Sequence, residues 1–239
     1  MSTCRLSVNL NKVALIRNAR GANFPNLLQV ALDCEKFGAE GITVHPRPDQ
    51  RHIRYGDIPE LRGKIATEFN IEGNPTAEFM DLLRQYPSDQ VTLVPDAAQA
   101  LTSDSGWDTL AFASFLQEVT KELKSLGARV SIFVDPDPKM IEGAKKLGAD
   151  RVELYTGPYA HEYKADRAVA IAPYVKAAEA AAAVGIELNA GHDLNLTNLA
   201  YFKQNIPNLL EVSIGHALTV DALYMGFQNV IPLYKNCLR

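Results

Sequence analysis

Short apolar runs recur along this chain between stretches of helical periodicity, each entered through a Gly or Gly-Ala break and closed by a polar residue. Four of these runs close on side chains able to do chemistry: Gly41-Ile42-Thr43-Val44-His45, Ile65 to Glu72, Ile186-Glu187-Leu188-Asn189-Ala190-Gly191-His192 and Leu210-Glu211-Val212-Ser213-Ile214-Gly215-His216. The cadence predicts strands at 6–9, 41–45, 65–72, 91–94, 130–134, 151–154, 187–190 and 211–214. Helices are predicted at 26–37, 76–86, from beyond Asp108 to Leu126, and at 139–147, 165–184, 196–204 and 219–234, several stopped by glycine. A long polar loop is expected through Arg17-Asn18-Ala19-Arg20-Gly21, and Pro46 and Pro48 bar regular structure from the charged stretch 46–52. Eight alternations without a break in composition predict one domain over residues 1–239, an α/β fold with eight parallel strands closed into a (β/α)8 TIM barrel. The C-terminal ends of such strands share one mouth, so His45, His192 and His216 are expected in one pocket.

The length of 239 residues fits that fold, which typically takes about 250. Hydrophobic residues at 47% and charged residues at 22% exclude a disordered or fibrous chain. A net charge of -4 argues against nucleic acid as a partner, since a phosphate backbone needs a strong basic face, but leaves room for small phosphorylated substrates held by a local cluster of arginines. Cys4, Cys34 and Cys237 are odd in number and lack CxxC spacing, which supports neither a disulfide framework nor a zinc ribbon. The opening residues lack the apolar core of a secretion signal, and the Ala-rich stretch 177–184 is too short to span a membrane. A cytoplasmic location with no membrane partner is the expectation.

His45, His192 and His216 bring to the strand ends the side chain whose proton exchanges most easily near neutral pH. Glu72 closes an apolar run, where partial burial would raise its pKa and suit it to proton shuttling. The pairs Gly191-His192 and Gly215-His216 follow strands and precede helices, a setting in which exposed N–H groups attract phosphate. Arg17, Arg20, Arg47, Arg51 and His52 crowd the loops after the first two strands, where guanidinium forks can hold a second phosphate; Arg20 and Arg47 are the better placed. Asn9 can hydrogen-bond a substrate hydroxyl. Glu153 points either into the lumen, where it could stabilise a cationic intermediate, or into the helix layer.

Taken in order, Val8-Asn9-Leu10-Asn11-Lys12, Arg17 to Gly21, Gly38 to His45 with Arg47 and Arg51-His52-Ile53, Asn70-Ile71-Glu72, Leu93-Val94-Pro95, Glu153 with Tyr155-Thr156-Gly157, Asn189 to His192 and Ser213 to Ala217 resemble the pyridoxine 5′-phosphate synthase family from about residue 6 to the last helix. The resemblance implies a homo-octamer of (β/α)8 barrels that condenses 1-deoxy-D-xylulose 5-phosphate with 3-amino-2-oxopropyl phosphate, without a cofactor and without a metal. It implies His45 and Glu72 as proton acceptors, His192 as proton donor and Glu153 as a stabiliser of transition-state charge. Asn9, Arg20, Arg47, His52 and Thr102 would contact substrate, and Gly215 and His216 would hold the phosphate of the amine; Asp193, next to His192, is taken as a further substrate contact. Asn11-Lys12 and Asp193 depart from some relatives, which carry Asp-His and Gly there.

Three rival readings remain at this level. A Schiff-base aldolase would use Lys12 or Lys64 and be trapped by borohydride. A metal-dependent hydrolase would use the three histidines with Glu72 and fail on metal removal. A barrel that only binds phosphorylated metabolites would bind without turnover.

Overall fold

The computed structural model describes residues 4–96 and 103–239. In chain order the elements are β1 (Arg5–Asn9), α1 (Asn11–Asn18), α2 (Leu27–Lys36), β2 (Gly41–Val44), α3 (Asp57–Leu61), β3 (Glu68–Gly73), α4 (Ala77–Gln85), β4 (Gln90–Leu93), α5 (Ala113–Ser125) and β5 (Arg129–Val134). They continue as α6 (Pro138–Lys146), β6 (Arg151–Tyr155), α7 (Gly157–Glu162), α8 (Arg167–Val184), β7 (Glu187–Gly191), α9 (Leu199–Asn205), β8 (Leu209–Ile214), α10 (His216–Met225) and α11 (Phe227–Cys237). The eight strands pair in parallel in sequence order, and β8 closes on β1. The fold is the expected (β/α)8 barrel.

Each strand alternates with period two, which is what aims its side chains. Leu6, Val8, Ile42, Val44, Phe69, Ile71, Val91, Leu93, Val130, Ile132, Val152 and Leu154 are buried in the layer between barrel and helices. The intervening positions turn to the lumen and are mostly polar. Ser7 and Thr43 hydroxyls meet at 2.7 Å, Asn70 donates to Thr43 at 3.3 Å, and Thr92 donates to Asn70 at 3.1 Å. Below that belt, at the N-terminal end of the strands, Glu68 contacts Arg5 at 3.2 Å, Arg151 at 3.7 Å and also Arg129, while Glu211 lies 3.8 Å from Arg151. Most barrels of this class fill the lumen with Val, Ile and Leu; this one fills it with hydrogen bonds and ion pairs.

Helix ends follow local chemistry. Asn26 and Thr76 cap α2 and α4 by accepting from Gln29 N at 2.9 Å and Phe79 N at 3.3 Å, and Asp166 caps α8 through Ala168 N and Val169 N. Two expectations need correction, and two short helices are new. The loop expected after the first strand opens with helix α1, which takes in Arg17 and Asn18 and leaves 19–21 as the loop, because Arg17 is buried rather than solvated and its apolar neighbours Val13 and Ala14 pack inward. Two short helices, α3 and α7, stand in segments for which no element is predicted. The single last helix is two, α10 and α11, separated by Gly226 at φ 77° and ψ 147°, a backbone conformation that side chains with a Cβ rarely adopt.

Candidate active site

The C-terminal strand ends enclose a cavity of about 520 Å³. Its lining holds His45, Glu72, Glu153 and His192 together, with Asn9, Arg47, His52, Asp193, Gly215 and His216 around them. Four of the five histidines therefore share one space. Of the predicted contacts, Arg20 is exposed and outside this lining, and Thr102 lies outside the described residues. Lys12 and Arg51 also line the cavity, whereas Lys64 is exposed elsewhere.

His45 follows β2, and its backbone N–H donates to Asn11 Oδ1 at 2.9 Å, so the residue that departs from some relatives ties α1 to the end of β2. The His45 ring lies between two carboxyls, with Nδ1 4.0 Å from Glu72 and Nε2 4.0 Å from Asp96. Asn9 is fixed at both ends of its amide: Oδ1 accepts Asn11 N–H at 3.0 Å and Nδ2 donates to Glu72 at 3.3 Å. Glu153 points into the lumen, which settles the alternative left open by its sequence position. A Cβ on Gly191 would come within 2.0 Å of the Glu153 carboxylate, so the absence of a side chain at 191 is what makes room for it.

Burial dominates the electrostatics. It raises Glu72 to about 8, with the Asp96 charge acting in the same direction and hydrogen bonds from Ser213 and Asn9 opposing it. Burial, then the charges of Glu72 and Glu211, hold Glu153 well above the usual carboxylate range. His45 is lowered to about 3 by burial, then by the positive Arg47 and His192. The ligand-free cavity thus holds a neutral imidazole, able to accept a proton, beside carboxyls that retain theirs near neutral pH.

His52 is lowered to about 3 by burial and by neighbouring His45, Arg47 and Lys12. Its Nδ1 accepts Ile53 N–H at 2.9 Å, so the neutral ring carries its proton on Nε2. Arg17, grouped by sequence with the possible phosphate ligands, is instead a buried brace: its fork donates to Asp57 at 2.6 and 2.9 Å and to the His52 carbonyl at 3.1 Å. Arg47 pairs with Asp96 inside the cavity, and Arg51 with Asp49 at its edge.

His192 and Asp193 follow β7 with positive φ, 78° and 41°, and His192 Nδ1 lies 3.3 Å from the Asp193 carboxylate. The ring meets Tyr155 edge-on with centroids 5.4 Å apart. Tyr155, Phe133, Ser103, Ser213 and Asp96 are cavity or near-cavity groups that sequence reasoning did not single out. The period-two rule could have found Phe133 and Ser213, which share parity with Ser131 and Glu211 on their strands. Among the described residues, no group of three or more His, Cys, Asp or Glu side chains is placed to hold a metal ion. No helix among them is long and apolar enough to cross a membrane.

Comparison with known proteins adds three findings. Residues 6–239 match the family described as Pyridoxal phosphate biosynthesis protein PdxJ. The chain is 61% identical over 235 residues to the pyridoxine 5′-phosphate synthase of Cytophaga hutchinsonii and 62% identical over 235 residues to that of Bacteroides fragilis, covering 98% of this chain and 99% of each relative. In structure it resembles 3-keto-L-gulonate-6-phosphate decarboxylase from Vibrio cholerae, with a TM-score of 0.67, 11% identity and coverage of 99% and 98% of the two chains, a likeness of fold alone.

Proposed function

The chain belongs to the PdxJ family and shares its activity as a pyridoxine 5′-phosphate synthase, and from that premise we propose how the cavity performs the reaction. The substrates are 1-deoxy-D-xylulose 5-phosphate and 3-amino-2-oxopropyl phosphate; the products are pyridoxine 5′-phosphate, inorganic phosphate and water. The substrate amine attacks the ketone of the sugar and forms the imine itself, so no lysine nucleophile is required. What remains for the protein is to align two dianions, move protons between carbon and oxygen, and release water and phosphate as the ring closes.

Arg47 and His52 grip the pentulose phosphate, and the Gly215-His216 start of α10 receives the phosphate of the amine, where backbone N–H groups point outward. His45, neutral at working pH, accepts a proton from substrate carbon. Glu72, with its raised proton affinity, becomes a strong acceptor once ionised. His192 protonates a departing hydroxyl, and Glu153, protonated at the outset, ionises as positive charge develops on the imine and stabilises it. Asn9 orients a substrate hydroxyl; Arg20 and Thr102 are assigned to substrate on motif resemblance, and Asp193 on its place in the cavity lining. We further propose one domain, a cytoplasmic location and assembly as a homo-octamer. The last is supported by exposed apolar side chains such as Phe24 and Tyr224, 82% and 88% accessible.

The observation that carries this reading is the convergence of His45, Glu72, Glu153 and His192 in one cavity of about 520 Å³ with cationic groups around it. Mixing the two substrates with the protein should generate the pyridoxine phosphate chromophore together with released phosphate. His45→Ala should lower turnover by about 10²–10⁴-fold with the fold intact. Near-normal turnover would remove His45 from the mechanism, and binding of both substrates without product would overturn the activity for this chain. Borohydride added during turnover should leave Lys12 unmodified.

A further inference from the structure

We propose that Asp193 is a positioning residue whose carboxylate holds the His192 imidazole by Nδ1, so that Nε2 is the atom that delivers the proton to the departing hydroxyl. The proposal rests on the reading of His192 as proton donor. In that step the imidazolium gives its Nε2 proton to the hydroxyl, which leaves as water with the electrons of the broken C–O bond. The neutral ring keeps Nδ1–H on Asp193 and regains a proton from solvent.

Adjacent residues seldom bring their side chains together, and this pair does so because both adopt positive φ, 78° at His192 and 41° at Asp193. Neither is glycine, and non-glycine residues stay in that region only where their surroundings over-determine them. Here the surroundings do. The Thr156 hydroxyl contacts the carbonyls of Gly191, at 2.7 Å, and His192, while the side-chain amides of Asn195 and buried Asn198 donate to the Asp193 carbonyl at 3.2 and 3.3 Å. Three side chains thus fix the backbone turn that puts the carboxylate 3.3 Å from Nδ1. The ring is flanked edge-on by Tyr155 at 5.4 Å and by Phe133 at 6.4 Å, which limit its rotation over the cavity.

Among the described residues, charged and titratable groups facing the pair include Lys12 on α1, His45 after β2, Tyr155 on β6 and His216 on α10. Lys12 is cationic, so a second positive charge on His192 needs an anion in contact, and Asp193 is the carboxylate that touches it. The hydrogen bond to His192 in turn holds the Asp193 carboxyl below its ordinary value, against a smaller opposing effect of burial. An ionised carboxylate on one ring nitrogen fixes the tautomer and the aim of the other.

The test compares D193G, which removes the carboxylate and relaxes the positive φ, with D193N, which keeps an acceptor and removes the charge. Two readouts are taken: kcat and both KM values; and the imidazole 15N spectrum of the ligand-free protein, with the His192 signal identified by its loss in H192Q. D193G should lose about 10–100-fold in kcat, the scale of lost histidine-orienting partners, with KM values held within about threefold. Its neutral His192 should shift from the Nδ1–H to the Nε2–H tautomer. D193N should recover part of the kcat. A D193G enzyme with unchanged kcat and an unchanged His192 tautomer overturns the proposal, as does a rise in KM at constant kcat, which would make Asp193 a plain substrate contact. If H192Q itself keeps turnover, the proton-donor reading fails, an outcome distinct from failure of Asp193 alone.

Discussion

The side chains at the centre of the cavity owe their properties to where they sit rather than to what they are. Glu72, raised from 4.5 to about 8, is a carboxyl whose protonated form the folded state prefers. The stability it contributes is therefore present below its unfolded value and is lost as pH climbs from about 4.5 to about 8. His45 runs the other way: lowered from 6.5 to about 3, it contributes above 6.5, and that contribution is lost as pH falls towards 3. Glu72→Gln keeps the neutral shape and removes the ionisation. Denaturant unfolding of the ligand-free protein should find the variant equal to wild type at about pH 4 and more stable at pH 8, with turnover abolished. Equal stability at pH 8 would mean that Glu72 retains no buried proton. Sequence located His45, Glu72, His192 and Glu153 because each ends or occupies a strand that barrel topology aims at one mouth. It ranked Arg47 above Arg17 as a ligand contact but could not show Arg17 as a buried brace, because that role depends on Asp57, forty residues from Arg17, turning inward to meet it.

At the scale of elements, the strands were legible because a Gly or Gly-Ala break precedes many of them and period-two packing constrains the residues after the break. Helices were legible where a cap residue marks the start, as at Asn26 and Thr76. Helix α1 was not, because a buried Arg17 reads as solvent-facing until its partner is known. The division between α10 and α11 was hidden for another reason, since a glycine inside an apolar helical pattern signals only a modest cost until its backbone angles are seen. Gly226 carries φ 77° and ψ 147°, and a Cβ there would find open space but a strained backbone. Gly226→Ala should cost about 1–3 kcal/mol, lowering Tm by several degrees. Calorimetry that finds no change would show that the two helices can merge without penalty. Because α10 begins at His216, steady-state kinetics on the same variant reads whether the break also sets the phosphate end of the cavity.

For the whole molecule, the lumen divides into three levels: ion pairs at the N-terminal end, a hydroxyl and amide belt in the middle, and the proton-moving groups at the mouth. The lowest level depends on balanced charge. Arg151 is 4% exposed and lies within 3.8 Å of Glu68, Glu187 and Glu211, and Glu211 is raised to about 7 chiefly by burial and by Glu68, with Arg151 and Arg5 pulling it down. Arg151→Met should destabilise the fold by about 3–5 kcal/mol, the cost of leaving buried charge without its partner. The loss should be smaller at pH 6 than at pH 8, because the stranded carboxyls can take up protons in acid; urea midpoints independent of pH would contradict this. The strict alternation along the strands has one more consequence. Each strand presents two texts interleaved letter by letter, one addressed to the helices and one to the lumen, and a change in either leaves the other unread. Evolution can therefore redraft the catalytic text of such a barrel while its shell stays as it was.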